Sequence, residues 1–591
     1  MAVDNRLEEL LDNHRPDAAL RERVDERQFA GGIPRAPARF PRVRLGRRWV
    51  SGLWLVLLGV VALVVVIAVA QQLRHYGWMQ DFLARYPGTS TSYAPAVTTG
   101  FPAWLRWQHF FNIVFMMFIL RSGLQILADH PRLYVNSGCR PGTEWLRLRG
   151  AVPNDRLDKA DAPRLWTSKD DAVTLPKWLG IPGIRHSIGL ARWWHFSFDL
   201  LWLINGAVFY VLLFTTGQWH RIVPQSWDVF PNAVSAAVQY ASLNFPVNQG
   251  FTVYNGLQVL AYFITVFIAA PLAFVTGLLQ APAIAARFGT GRGPLNRQVA
   301  RTVHFVVWLW MVGFIVAHVT MVLSTGALAN LNHITLGGDT QSLWALAVVG
   351  VAAAIVLGLW LAATPLTLRY PRLVQNAGRF TVGWAKAWME RTHPRASYQD
   401  KDITPYFWAN GRLPDSERYR RLRDGGWSQY TLRVAGLVAS PVELSYAELL
   451  ALPKHEQITQ HYCIQGWSGV AKWGGVRMAD LLALVQPLPE TKWVVFYSLA
   501  DGAEPGHGRY YDCHRIEHMR EPMALLAYEM NGEPLTEAHG APLRLRNELE
   551  LGFKQVKWIE AVEFVADFRS VGWGCGGYNE DHEYFGYRMP I

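Results

Sequence analysis

The chain has 591 residues, 51% of them hydrophobic and 17% charged, and its 57 Lys and Arg against 46 Asp and Glu leave a net charge of +11. That length exceeds one ordinary domain and predicts two or three units. The basic excess lies in loops beside apolar segments, which points to a membrane surface and away from nucleic acid as the partner.

Residues 1–48 read as a basic tail. They are rich in arginine but also acidic, and they lack the short apolar run and small-residue cleavage site of a removable signal. Six stretches then reach the ~20 apolar residues needed to cross a hydrocarbon core of about 30 Å, at 49–70, 103–128, 193–217, 251–279, 302–325 and 343–364. The first and last carry no ionisable group and read as packing helices. The middle four place polar groups at membrane depth, where an unpaired polar atom costs several kcal/mol.

Loop charges predict the orientation. Arg35, Arg39, Arg42, Arg44, Arg47 and Arg48 precede the first span, Arg132, Arg140, Arg147 and Arg149 follow the second, and Arg287, Arg292, Arg297 and Arg301 follow the fourth. The alternate loops hold Arg74, Arg85 and Arg221. The Arg-rich loops are therefore expected in the cytoplasm. Six spans return the chain to that side, where Arg369, Arg372, Arg379 and Lys386 follow, so the C-terminal part is expected there too.

His109, His195, His304 and His318 fall inside predicted spans, where imidazole is rare. His304 and His318 are 14 residues apart, which on a helix leaves them about 40° apart around the axis and roughly 21 Å apart along it. They share a face, one near each membrane surface. His109 opens the second span on the outer side and His195 opens the third on the inner side. The depth-matched pairing is His109 with His318 and His195 with His304. Two neutral imidazoles fill both axial positions of an iron, which suits electron transfer, and the expectation is two stacked b-type haems. Asp199, one turn after His195, faces the same way; a proton relay and a contact to a haem edge are open to it, and at the inner end of a span the simpler reading is a hydrated carboxylate.

This pattern resembles the cytochrome b subunits of bacterial formate dehydrogenases and nickel-iron hydrogenases, whose four-helix core takes one His from its first helix, one from its second and two from its fourth. The segment YNGLQVLAYFITVFIAAPLAFVTGL looks like the third helix of that core. The resemblance covers roughly residues 103–325 and implies exchange of electrons with membrane quinone or quinol. The two outer helices and the Arg-rich loop at 129–192 depart from the simplest form. A multi-pass protein of a bacterial cytoplasmic membrane, surrounded by lipid, is expected.

A basic amphipathic connector is predicted at 366–400 between the transmembrane domain, 49–365, and a soluble domain, 401–591. In the latter, YTLRVAGLV, KWVVFYSL and VKWIEAVEFV read as strands and SYAELLALP and MADLLALV as short helices, giving an α+β unit. Four widely separated cysteines, Cys139, Cys463, Cys513 and Cys575, form neither a CxxC pair nor a disulfide framework, as expected in a reducing compartment. Cys463 lies in HYCIQGWSGVAKWGGV, expected just after a helix. Downstream, NGEPLTEAHGAPLRLRNELELGFKQVKWIEAVEF gathers glycines, an arginine and two lysines in a turn-rich stretch able to cradle phosphate.

Cys463, Trp473, HGAPLRL and GFKQVKW together resemble the sulfite oxidase superfamily over about 406–591, and look most like its protein-methionine-sulfoxide reductase catalytic subunits. The resemblance implies an α+β molybdopterin-binding domain with Cys463 as the thiolate on molybdenum, a soft ligand. It sets Asn410, Ser498, His539, Arg544, Gln555, Val556 and Lys557 around the pterin and its phosphate. His539 stands where that branch usually has asparagine. Sulfite oxidases proper follow their cysteine with an arginine-bearing segment; here Ile464, Gln465, Gly466 and Trp467 follow, which weakens sulfite as a substrate. The C-terminal GYNEDHEYFGYRMPI fits a pocket mouth or terminal packing.

The combined expectation is a multidomain oxidoreductase, an all-α six-span bundle followed by the molybdopterin domain, reducing an oxygen-bearing small molecule or protein sulfoxide with electrons from quinol. Two alternatives stand beside it: the same chain oxidising a sulfite-type substrate and feeding quinone, or a membrane conduit whose C-terminal domain docks a soluble partner without catalysis.

Overall fold

The computed structural model describes residues 37–97, 100–152, 166–181, 188–245, 251–288, 296–389, 397–411, 413–501, 509–571 and 577. Among the described residues six helices are long and apolar enough to cross a membrane: α1 Gly52–Leu73, α2 Ala103–Asp129, α3 Ile188–Thr215, α4 Gly256–Gln280, α5 Arg297–Ser324 and α6 Trp344–Arg369. Each answers to one predicted span. Hydropathy reports the apolar slab and not the helix, so α3 and α5 begin more than a turn before the predicted spans. Asn296 caps α5 by accepting from the Gln298 and Val299 amides.

The predicted start of the first span is corrected. Trp49 lies in strand β2 (Arg48–Ser51), paired antiparallel with β1 (Arg42–Leu45) around a turn with Gly46 at φ +61°. Ser51 ends the hairpin and caps α1 through its hydroxyl on the Leu53 amide. The boundary expected at residue 48 thus falls inside a hairpin. β1 also pairs with β4 (Leu146–Arg147), and β4 with β3 (Arg132–Leu133), so the segment after α2 completes a small four-stranded sheet. Fully buried Arg132 braces it, with Nε and Nη2 on the Asp171 carboxylate at 2.8 and 2.7 Å and Nη1 on Glu144 at 2.6 Å.

After α6, helix α7 (Pro371–Met389) realises the amphipathic connector. It buries Pro371, Val374, Gln375, Gly378 and Val382, a stripe at three- and four-residue spacing, and exposes Phe380, Trp384 and Trp388. Gly378 sits so close to Trp193 of α3 that a Cβ there would lie 2.4 Å from the indole.

The C-terminal unit holds ten strands among the described residues: β5 Thr431–Gly436, β6 Val442–Ser445, β7 Lys454–Tyr462, β8 Ser468–Arg477, β9 Trp493–Asp501, β10 Arg509–Arg515, β11 Leu525–Met530, β12 Glu533–Pro534, β13 Arg544–Arg546 and β14 Ile559–Val565. One sheet has the order β10-β9-β14-β5-β6, with β14 and β5 parallel; the other has the order β12-β11-β8-β7, with β13 on β11. Their inner faces meet in a core that includes Leu432, Val434, Phe496, Val562, Leu526 and Leu545. The two short helices form at Tyr446–Ala451 and Met478–Val485. The expected helix immediately before Cys463 is corrected: the helix ends at Ala451, and β7, in register with β8 from Lys454↔Val476 to Tyr462↔Ser468, leads into the cysteine.

Candidate functional site

Within the bundle the structure brings the four membrane histidines together in two pairs. The ring centres of His109 and His318 are 6.3 Å apart, and those of His195 and His304 are also 6.3 Å apart. Two metal–imidazole bonds of about 2.0 Å, plus about 1.1 Å from each nitrogen to its ring centre, require about 6.2 Å. Both pairs therefore fit one metal between the rings.

Neighbouring hydroxyls set the ring tautomers at the inner level. Ser122 Oγ donates to Phe118 O at 2.6 Å, so towards His195 Nδ1, at 3.0 Å, it acts as acceptor. Thr276 Oγ1 donates to Leu272 O at 2.6 Å and accepts from His304 Nδ1 at 3.0 Å. With Nδ1 protonated in both rings, each Nε2 keeps its lone pair for a metal. A Cβ at Gly123 would come within 3.3 Å of His195 Cε1, and one at Gly277 within 3.7 Å of His304 Cε1. A side chain at Gly123 would press on the His195 ring, whereas one at Gly277 would make ordinary contact with His304. At the outer level Tyr262 Oη lies 3.2 Å from His318 Nδ1. Asp199 places Oδ2 3.5 Å from His195 Nε2, and so faces the pair.

In the C-terminal unit, Cys463 closes a tight loop: its amide donates to Trp467 O and Gly466 N donates back to Cys463 O, each at 3.1 Å. Gly466 carries φ +108°, a conformation that favours glycine. The Cys463 side chain is fully buried, and burial pushes its thiol up to about 12. A free thiol so placed is inert; a thiolate there calls for a cation.

The predicted cofactor residues gather around this loop. Asn410 Nδ2 lies 3.9 Å from Cys463 Sγ, and Lys557 Nζ donates to Asn410 O and, at 2.9 Å, to Ala538 O. Ser498 Oγ donates to Lys557 O at 2.7 Å. Arg544 Nη1 donates to His539 O at 2.8 Å, and its guanidinium lies over the Trp473 ring at 4.8 Å. Val556 is buried, and its carbonyl accepts from Leu545 N at 2.8 Å. Gln555 Nε2 donates to Asn547 O and Glu550 O, leaving its buried Oε1 without a partner. His539 has both ring nitrogens engaged, by Thr536 Oγ1 at 2.8 Å and Phe407 O at 3.1 Å.

Two cations stand out, buried Arg544 and partly buried Lys557. Burial, with Arg546 beside Arg544 and Arg544 beside Lys557, holds both groups well below their ordinary values. Arg544 Nε is buried with no acceptor. A pterin phosphate would supply the missing negative charge, so the donor set fits that group. Sequence reasoning missed His461, which stacks on Trp467 with ring centres 5.2 Å apart and meets Arg546 Nη1 at 3.0 Å. Its signal is position alone, two residues before the cysteine. The C-terminal GYNEDHEYFGYRMPI, apart from Gly577, and Cys575 lie outside the described residues.

The loop rests on the end of the bundle that carries the Arg-rich segments. Arg297 Nη1 donates to Trp467 O at 3.3 Å, Gln298 Nε2 to Gly466 O at 3.2 Å, and Trp408 Nε1 to Cys139 O at 2.8 Å. His130, fully buried at the end of α2, stacks on Tyr134 and presents its edge to Trp408, and neither ring nitrogen has a partner.

Residues 100–335 match the family model of the prokaryotic cytochrome b561, and residues 420–573 that of the oxidoreductase molybdopterin binding domain. Two family models thus meet in one chain, a cytochrome b module among helices long and apolar enough to cross a membrane and a molybdopterin-binding oxidoreductase domain, and they support haem b and molybdopterin as the cofactors of the two parts. It is similar to a protein named as a protein-methionine-sulfoxide reductase subunit, YedZ1 of Azospira oryzae, with 31% identity over 31% of this chain and 65% of the relative. It is similar also to the protein-methionine-sulfoxide reductase catalytic subunit MsrP of Xanthomonas axonopodis, with 34% identity over 29% of this chain and 56% of the relative. The chain thus spans less than two thirds of the length of either. The crystal structure of the sulfane dehydrogenase SoxCD from Paracoccus pantotrophus shares 25% identity over 24% of this chain and 39% of that one, at a TM-score of 0.21.

Proposed function

We propose that the chain is a quinone-linked molybdenum reductase of the bacterial cytoplasmic membrane, drawing electrons from quinol and removing oxygen from a sulfoxide-class substrate. His109 with His318, and His195 with His304, hold two b haems; Cys463 holds molybdenum; Asn410, Ser498, Arg544, Gln555, Val556 and Lys557 cradle the pterin, and His539 braces that cradle. When bound, the haems supply one-electron transfer and the molybdenum-pterin supplies two-electron oxygen-atom chemistry.

One observation carries this reading: the Cys463 loop is hydrogen-bonded to the first turn of the helix that bears His304. Gln298 and His304 are six residues apart, about 9 Å along the axis, so the inner histidine pair lies beside the cysteine loop. The bundle partly buries all four histidines, the Ser122 and Thr276 hydroxyls set the tautomers of the inner pair, and the loop fixes the thiol. Because the C-terminal unit sits at the Arg-rich end, the positive-inside rule assigns it, with the N-terminal tail, to the cytoplasm. The working division remains 1–48, 49–365, 366–400 and 401–591, with the hairpin bridging the first boundary.

The reverse direction, oxidation of a sulfite-type oxyanion, draws on one feature. A Cβ at Gly466 would lie 3.5 Å from the Arg301 guanidinium, so α5 brings to the cysteine loop the cation that its own sequence lacks. Purified enzyme separates the two readings. Methionine sulfoxide is expected to oxidise reduced haem, whereas haem reduction on adding sulfite, with no response to sulfoxide, would reverse the assignment.

A further inference from the structure

Gln465 lies two residues after Cys463, is 2% exposed, and has both side-chain N–H donors in use. Its Nε2 donates to two backbone carbonyls of the membrane module, Asp129 O and Ser168 O, each at 3.2 Å. Its Oε1 faces Cys463 Sγ at 3.8 Å. Asp129 is the last residue of α2 and Ser168 lies in the segment between α2 and α3.

That contact is one arm of a grip. Ser168 N donates to Ala409 O at 3.0 Å and its hydroxyl meets Asn410 Oδ1 at 3.3 Å, so the same serine holds the residue whose amide faces the cysteine from the other side. From α5, Gln298 takes Gly466 O and Arg297 takes Trp467 O. The four residues after Cys463 therefore have contacts to α2, to the segment ahead of α3, and to α5. A tethered domain that only visited the membrane module would have no use for a buried amide spent wholly on carbonyls of that module, where each unmatched donor is costly.

We propose that Gln465 is a positioning residue that locks the cysteine loop to the cytochrome module through the Asp129 and Ser168 carbonyls, so that the distance from the loop to the inner histidine pair is fixed. This rests on the proposed reading of Cys463 as the metal ligand. The grip carries no electron itself; it sets where the thiol stands relative to His195 and His304.

The test uses full-length, cofactor-loaded protein in detergent and three variants. Gln465→Leu removes the amide. Gln465→Glu keeps the shape but loses the two-donor end. Gln298→Leu cuts the α5 arm without touching the cysteine loop. Hydrogen exchange at residues 463–467 and 129–132 is expected to rise about tenfold in the Gln465 variants, and at 463–467 in Gln298→Leu. Turnover driven through quinol is expected to fall about tenfold while turnover driven by a reduced viologen, which bypasses the haems, stays within about twofold and the haem spectrum is unchanged. The proposal is overturned by unchanged exchange, or by an equal fall of both turnover rates, which would confine Gln465 to the substrate pocket. Should wild-type protein act on no sulfoxide, the proposed function fails, and the exchange measurement still decides the grip.

Discussion

The His195 and His304 rings face one another with centres 6.3 Å apart, the same separation that His109 and His318 keep at the other level. On the proposed reading each pair holds one haem, so the four imidazoles divide two and two. Replacing His195 or His304 by alanine is expected to remove the same haem, and replacing His109 or His318 the other. Haem per polypeptide should fall from two to one in every single variant, with only two distinct residual spectra. Four different spectra would mean that the pairs are not the units of binding.

Ser122 and Thr276 accept from Nδ1–H of the inner pair, which makes those imidazoles better donors to a ferric centre. Ser122→Ala and Thr276→Val are each expected to raise the midpoint potential of the inner haem, by about 30–60 mV, the scale of a several-fold to tenfold change in relative affinity for a one-electron couple. A redox titration resolving both haems checks this, since the outer potential should not move.

Buried Arg544 and partly buried Lys557 both donate to backbone carbonyls. Arg544→Ala and Lys557→Ala are each expected to cut pterin retention by about tenfold or more, the size of a lost charge-assisted contact. His539→Ala, whose ring is taken up by Thr536 and Phe407, should lower thermal stability before it lowers retention. Fluorescence of released, oxidised pterin measures the first effect and a melting curve the second.

Arg132, read from sequence as one positive charge among several, is a fully buried cation between Asp171 and Glu144. Arg132→Ala takes the bidentate partner from buried Asp171 and leaves Glu144 with Arg147 alone at 3.6 Å, and should cost about 3–5 kcal/mol. Because the segment it braces also holds Ser168 against Ala409, the variant is expected to lose its haem spectrum at a lower temperature and to shed molybdenum first.

What could be read from sequence were features that a local pattern specifies. Long apolar runs marked all six helices, and 14-residue spacing on one helix placed His304 and His318 at two depths. Cys463 stood out through the motifs around it. Features that depend on distant partners were silent: Ser122 and Thr276 look like ordinary small polar residues, and Gln465 is 336 residues from Asp129. The β1–β2 hairpin was hidden because Trp49 and Val50 are as apolar as the helix they precede, and β7 because a short helix ends so close before it. Arg301 shows the same limit, for its place beside Gly466 exists only once the two modules meet.

A single-turnover experiment tests the central claim most directly. Purified wild-type, Cys463→Ser and His304→Ala proteins are reduced anaerobically at their haems, freed of reductant, and mixed with methionine sulfoxide while haem absorbance is followed. The account predicts complete haem reoxidation in wild type, none in Cys463→Ser, and stranded outer haem in His304→Ala. Haem that stays reduced in wild type, or is reoxidised equally in all three, would contradict it.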